Sequence, residues 1–391
     1  MNSNTLRIAI LSISLLTVMA GAAISPALAD IAKAFPDASE TMIKLILTLP
    51  SVMIIPFTFI SSYLCNKFTK KNLVLVGIIF YVIGGFCGGL VTSIETLLLF
   101  RAILGIGVGL LMPISTSIVA DFYDGAMRTK VMGQVSAANN LGGIVLFISS
   151  GFLASISWRM SFSVYLVAII VALLVFFFLP PTPKDEEASM MNKKSKLPVS
   201  VYGYGLAMFF LLLAFYSLPA NIALYMQETG LGDSKFAGIV ISIGTATGFF
   251  AGLLLSKLTY WLKGYFLVIQ LLLMSIGFVI MGWSYHIIFL MLGIGIIGFG
   301  FGSLMPTVMD RVTKLVPRNK TVRAMAIVTS MLFLGQFLSP LVLDFIGWLV
   351  GNETIRFTYQ FVGVSIFIMT LFTFCYVYKQ KIKKKTLRAA S

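Results

Sequence analysis

The 391-residue chain is 58% hydrophobic and only 11% charged, with a mean hydropathy of +0.97. That leaves too little polar surface to cover a water-soluble globule of this size, so the chain reads as a membrane protein. A formal charge of +15 would suit nucleic acid only if the cations shared one surface, and their distribution along the chain speaks against that.

Continuous apolar stretches of about 20 residues predict helices rather than the alternating ten-residue strands of a barrel. They fall at 7–32, 41–65, 73–93, 95–120, 131–155, 160–180, 201–226, 236–256, 264–284, 287–310, 324–349 and 358–378, twelve in all. The first ends in "ALAD" at 27–30, which imitates a small-residue cleavage site. Its removal would leave eleven spans and reverse every later loop.

The cations decide between these readings, because Lys and Arg are retained on the cytoplasmic face. With twelve spans and both termini cytoplasmic, 23 of the 29 Lys and Arg residues fall inside. They are Arg7; Lys67, Lys70 and Lys71; Arg128 and Lys130; Lys184, Lys193, Lys194 and Lys196; Lys257 and Lys263; Arg311, Lys314, Arg318, Lys320 and Arg323; and six in the tail from Lys379 to Arg388. Lys33, Lys44, Arg159, Lys235 and Arg356 fall outside. The first span is therefore kept, and the basic excess is a topology signal. The tail "KQKIKKK" also suits anionic lipid headgroups.

Proline- and charge-rich sequence between the sixth and seventh spans reads as a cytoplasmic linker at 182–200. It divides a first half, 1–181, from a second, 201–379, followed by a basic tail at 380–391. The halves repeat: "GIGVGLLMP" at 105–113 and "GFGFGSLMP" at 298–306 agree at six of nine positions in the fourth and tenth spans. Two copies of a six-helix unit characterise secondary transporters, whose substrate site lies between them. The glycines have neither the strand nor the Lys-Ser/Thr of a phosphate loop. Gly105 with Gly109 and Gly298 with Gly302 instead present small faces for close helix approach, as do Gly142 and Gly143 in the fifth span.

Arg101 stands near the start of the fourth span, where a permanent cation costs roughly 2.5–3.5 kcal/mol at the bilayer centre. It either lines a hydrated cavity or snorkels to the outer interface. Asp344 shares one face of the eleventh span with Gln336 and Pro340 at four-residue spacing, so a polar stripe points away from lipid. Asp30 ends the first span. Each of these acids is either a proton-binding site or an interfacial carboxylate with a local bond. Asn139 and Asn140 in the fifth span, Ser217, Asn221 and Tyr225 in the seventh, and Gln336 in the eleventh are candidates for substrate contact or for hydrogen bonds between helices. Asp121 and Asp310 end the fourth and tenth spans at the cytoplasmic face, where they suit a cap or a gate. The three cysteines and the single histidine, His286, lie apart without metal-ligand spacing, and no cofactor is expected. No cluster of His, Cys or paired acids suggests an enzyme.

With these features the sequence resembles the major facilitator superfamily, and within it the drug:proton antiporter-like group. The resemblance implies an all-α membrane protein of twelve transmembrane helices in two pseudo-symmetric six-helix bundles. Between the second and third spans that family carries an Asp-Arg pair between glycines. Here "SYLCNKFTKK" places Asn66, Lys67, Lys70 and Lys71 at the cytoplasmic gate and lacks the acid, so the gate is expected to depend less on an ion pair. Arg101 followed by Gly105 matches the family's fourth-span pattern and implies an arginine that tunes a proton-binding carboxylate, Asp30 or Asp344. The fifth-span antiporter signature is altered: in "NNLGGIVLFISSGFL" the Gly pair is present, but Leu146 and Phe147 replace the Gly-Pro. The implied function is proton-coupled export of small amphipathic compounds across the plasma membrane, by a monomer with both termini cytoplasmic. One-substrate export of a metabolite, sugar or lipid-linked glycan, and a non-transporting receptor, are the alternatives.

Overall fold

The structure, a computed structural model, describes residues 3–181, 197–317 and 320–389. Most of the predicted linker, with Lys184, Lys193, Lys194 and Lys196, lies outside the described residues, as does Arg318. Among the described residues there are helices and short connections but no strand. Eleven helices are long and apolar enough to cross a bilayer. They are Glu40–Leu64 (span 2), Lys70–Gly89 (span 3), Ile94–Phe122 (span 4), Gly125–Ile156 (span 5), Trp158–Phe178 (span 6), Val199–Glu228 (span 7) and Ser234–Leu253 (span 8). After them come Phe266–Trp283 (span 9), Ile287–Leu315 (span 10), Thr321–Val350 (span 11) and Ile355–Ala389 (span 12). The basic tail thus continues span 12 as helix rather than forming a separate element.

Span 1 is interrupted. Helix Ser3–Ala22 is followed by the 3-10 turn Ser25–Ala27, which holds Pro26, and by the short helix Leu28–Ala34. It packs on spans 4, 5 and 6 and completes the twelve. Local chemistry sets several other starts. The side chains of Ser39, Thr69, Ser93, Ser157 and Asp233 accept from backbone N–H groups in the first turns of spans 2, 3, 4, 6 and 8, supplying partners that the first helical turn lacks. Gly351, at φ 72°, closes span 11 in the left-handed conformation.

Within each bundle the helices meet at glycine. A Cβ on Gly84 of span 3 would strike the Leu104 backbone and the Phe100 carbonyl of span 4, and one on Gly107 would lie 2.7 Å from the Gly77 carbonyl. In the second bundle, Gly277 meets Gly293 and Ile297, and Gly300 meets Gln270 and Met274. Each of these residues stands 193 positions after its counterpart, the same offset that separates Gly105 from Gly298. The sequence repeat is therefore a repeat of backbone contacts. Gly105 and Gly109 rest on Pro50 and Ile54 of span 2, while Gly298 and Gly302 rest on Gly244 and Gly248 of span 8. Gly142 abuts Leu15, but Gly143 has only Thr245 Cγ2 nearby, at 3.5 Å. It has room for a side chain and is not a close-packing glycine.

These contacts predict unequal responses to one added methyl. Overpacking at a close approach costs about 1–3 kcal/mol. Thermal unfolding in detergent is expected to show a lowered midpoint for Gly84→Ala. Gly133→Ala should be neutral or stabilising, because no atom lies within 4 Å of a Cβ there.

Candidate functional site

Two pairs of helices carry most of the contact between the bundles, spans 5 with 8 and 2 with 11, and the end of span 1 packs on spans 7 and 8. Spans 5 and 8 diverge along their length. A Cβ on Gly151 would lie 2.7 Å from the Ser234 carbonyl and 3.1 Å from Gly238 Cα. Gly143 is in ordinary contact with Thr245, and Gly133 and Gly252 have nothing within 4 Å. The bundles therefore touch at the end away from the chain termini, here the distal end, and splay toward the end that carries the termini, the proximal end.

Polar bonds pin the distal end. Ser25 Oγ donates to the Pro219 carbonyl, and Ser234 Oγ donates to the Asp30 carboxylate, linking span 1 to spans 7 and 8. Asp344 of span 11 is held twice by span 2. Lys44 Nζ donates to Oδ1 at 2.8 Å and Thr41 Oγ1 to Oδ2 at 2.7 Å. Lys44 also pairs with Glu40 at 3.2 Å, and its side chain is only 4% exposed. The polar stripe on span 11 does face a partner. Lys44, counted from its position as a loop-side topology cation, is the residue that completes the site, and no local pattern announced it.

Arg101 does not reach this seam. It is 1% exposed and turns into the first bundle, where Nη1 and Nη2 donate to the Tyr165 hydroxyl at 2.9 and 3.2 Å. The guanidinium lies 4.9 Å and 5.0 Å from the ring centres of Phe162 and Tyr165. Among the described residues no carboxylate lies within ion-pair distance of it, and its Nε has no hydrogen-bond partner. Tyr81 stacks edge-on against Tyr165 at 5.6 Å, and its own hydroxyl is unpartnered. Ring quadrupoles and one phenol face the cation, which is buried inside the bundle. This corrects the expectation of a hydrated-cavity or interfacial arginine. The signal was Tyr81, Phe162 and Tyr165 on two other spans, which helical spacing on span 4 does not register.

Other candidates divide between the two bundles and the seam. Tyr225 donates to the Ser284 carbonyl at 3.0 Å and packs on Tyr359, so it ties span 7 to the end of span 9 instead of lining a cavity. Ser217 and Asn221 donate to the Ala214 and Ser217 carbonyls at 2.6 and 2.8 Å, satisfying the break at Tyr216, but Asn221 Oδ1 is buried without a partner. Asn140 bonds locally to the Ser136 carbonyl, while Asn139 Oδ1 is unpartnered. Gln336 is buried beside the Tyr216 hydroxyl.

At the proximal end no predicted gate residue bridges the bundles. Lys70, 1% exposed, pairs with both Asp121 oxygens at 2.9 Å, clamping the start of span 3 to the end of span 4. An ion pair is thus present at this end, but it lies within the first bundle. Lys71 donates to the Phe176 carbonyl at 2.7 Å, Lys67 lies over Tyr63, and Asp310 pairs with Lys314 of its own helix at 2.6 Å. Asn66 Oδ1 has no partner, and Thr69 caps span 3.

Comparison with known proteins agrees with this architecture. The model of the Major Facilitator Superfamily matches residues 10–340. Multidrug resistance protein 3 of Bacillus subtilis is 33% identical over 100 residues, covering 25% of this chain and 20% of that protein. The quinolone resistance protein NorA of Staphylococcus aureus is 32% identical over 114 residues, 29% of each chain. The matched region spans less than a third of the length of these relatives. The crystal structure of a D-xylose-proton symporter superposes with a TM-score of 0.77 at 17% identity, over 95% of this chain and 97% of that one. By the extent of the family match and by its fold, the chain belongs to the Major Facilitator Superfamily and is a membrane transporter rather than an enzyme.

Proposed function

We propose that the protein is a proton-coupled exporter of small amphipathic compounds, working as a monomer by alternating access in the plasma membrane. Its termini and proximal end face the cytoplasm. Residues 1–181 and 201–379 are the two moving units. One observation carries this reading: the distal end is closed by bonds from two carboxylates, Asp30 and Asp344, each to the opposite bundle. A proton taken up by Asp344 cancels its ion pair with Lys44, and one on Asp30 weakens the charge-assisted bond from Ser234, which couples protonation to access.

The substrate class rests on two supports. The relatives matched in part are named for resistance to multiple drugs and to quinolones. Partly buried Phe215, Phe301, Met305, Met309 and Met325 gather on spans 7, 10 and 11, and Phe215 and Phe301 stack at 3.7 Å. Such side chains form an adaptable apolar wall suited to varied ligands. Asn139 and Asn221 retain unpartnered oxygens to orient a polar group. Arg101, in this reading, is a packing cation that locks spans 3, 4 and 6.

Inverted vesicles with an imposed proton gradient test the proposal. Several unrelated dyes or drugs are expected to accumulate with the gradient and to lose that accumulation in Asp344→Asn at equal protein level. Movement of one compound regardless of the gradient would contradict it. Arg101→Lys keeps the charge but loses the planar fork. It is expected to lower thermal stability and uptake in parallel without moving the pH profile; a shifted profile at normal stability would restore a coupling role to Arg101.

A further inference from the structure

Lys44 is the least expected element of the seam. Its ammonium is almost wholly buried, yet it sits between Asp344 of span 11 and Glu40 of its own helix, and close enough to Glu228 of span 7 to feel that charge as well. Asp344 remains 21% exposed, so water reaches the acid but barely reaches the cation. Charged neighbours on span 1 are the Asp30 and Lys33 pair, 3.6 Å apart. One buried cation thus serves a cluster with an excess of acids.

The polar surface continues inward. Residues 44, 48 and 51 share one face of span 2, turned away from the Pro50 and Ile54 face that meets the span 4 glycines. Thr48 and Ser51 are fully buried, and neither hydroxyl has a hydrogen-bond partner. On span 11, which packs against span 2, Pro340 and Gln336 share the face of Asp344 at four-residue spacing. Pro340 has no N–H to offer the Gln336 carbonyl four residues earlier. Hydroxyls both donate and accept, and neighbours one helical turn apart, about 6 Å, can be joined by a bridging water.

We propose that Lys44 is the positioning residue that expels the coupled proton, and that Thr48, Ser51 and Gln336 mark the proton's route inward; this rests on the exporter reading above. With the distal end open, the Asp344 carboxylate takes a proton from the outside solution and becomes a neutral acid. Lys44 remains an ammonium held by Glu40. As the bundles close, Lys44 meets Asp344, the O–H bond breaks, and the ion pair replaces it. The proton leaves along the hydroxyl track toward the splayed proximal end. Closure, proton release and direction are thereby joined in one contact.

A reporter thiol reads the latch: Ala29→Cys, buried at the distal end, in a chain whose three native cysteines are replaced. Labelling of cells by an impermeant maleimide is expected to rise several-fold as external pH falls. It should be high and insensitive to pH with Lys44→Met or Asp344→Asn, and pH-sensitive again in Lys44→Arg and in the exchanged pair Lys44→Asp/Asp344→Lys. Gradient-driven uptake is measured alongside. Uptake with an unchanged pH profile in Lys44→Met overturns the role of Lys44 while leaving the exporter reading intact. Absence of any gradient dependence in the unmodified chain overturns that reading itself.

Discussion

Lipid tails are as apolar as leucine, so helices in a bilayer gain little from hydrophobic burial against one another, and their association depends on close packing and polar contact. This protein uses both, and between the bundles it sets them side by side, close packing at Gly151 and Gly238 and polar contact at Asp30 and Asp344. Glycine-to-backbone contacts such as Gly84 on Leu104 and Gly277 on Ile297 hold each bundle as a rigid body. Polar bonds hold one bundle to the other, and they gather at the distal end. Dense packing resists change, whereas a hydrogen bond or ion pair can be exchanged for a proton or for water. Each bundle can therefore keep its form while the seam between them opens.

The seam's two faces differ in kind. Where Gly151 meets Gly238, backbones touch and no titratable group takes part. Where Lys44 meets Asp344, a buried cation is matched by an acid within reach of water. Leaving either charge unpaired in the closed state is expensive, so the contact is made or abandoned as a unit. The Lys70–Asp121 pair at the proximal end is equally buried but joins two helices of one bundle, so it stiffens that bundle without gating it.

Much of this was legible from residue spacing. The twelve apolar stretches fall on the observed helices, and the offset between Gly105 and Gly298 foretells a repeat of contacts that runs through spans 3, 4, 9 and 10. The stripe of Gln336, Pro340 and Asp344 pointed to a polar neighbour, because period alone tells which residues share a face. What period cannot tell is the identity of the facing residue. Lys44 and Asp344 are separated by 300 positions, and Lys44 counted equally well as a loop-side cation. Arg101 was legible as an anomaly but not as a solution, since its aromatic cage comes from Phe162 and Tyr165. Tyr225 left two readings open for the same reason: its partner carbonyls stand at Met281 and Ser284 on a different span.

In the proposed cycle the polar latch at one end governs the opening at the other. Spin labels at Gly133→Cys and Gly252→Cys, placed where both glycines face open space, report the proximal separation of spans 5 and 8 by pulsed electron resonance. Asp344→Asn, which weakens the distal latch, is expected to shift this distance distribution from long to short. An unchanged distribution, with the distal end demonstrably open, would show that the two ends move independently and would contradict it.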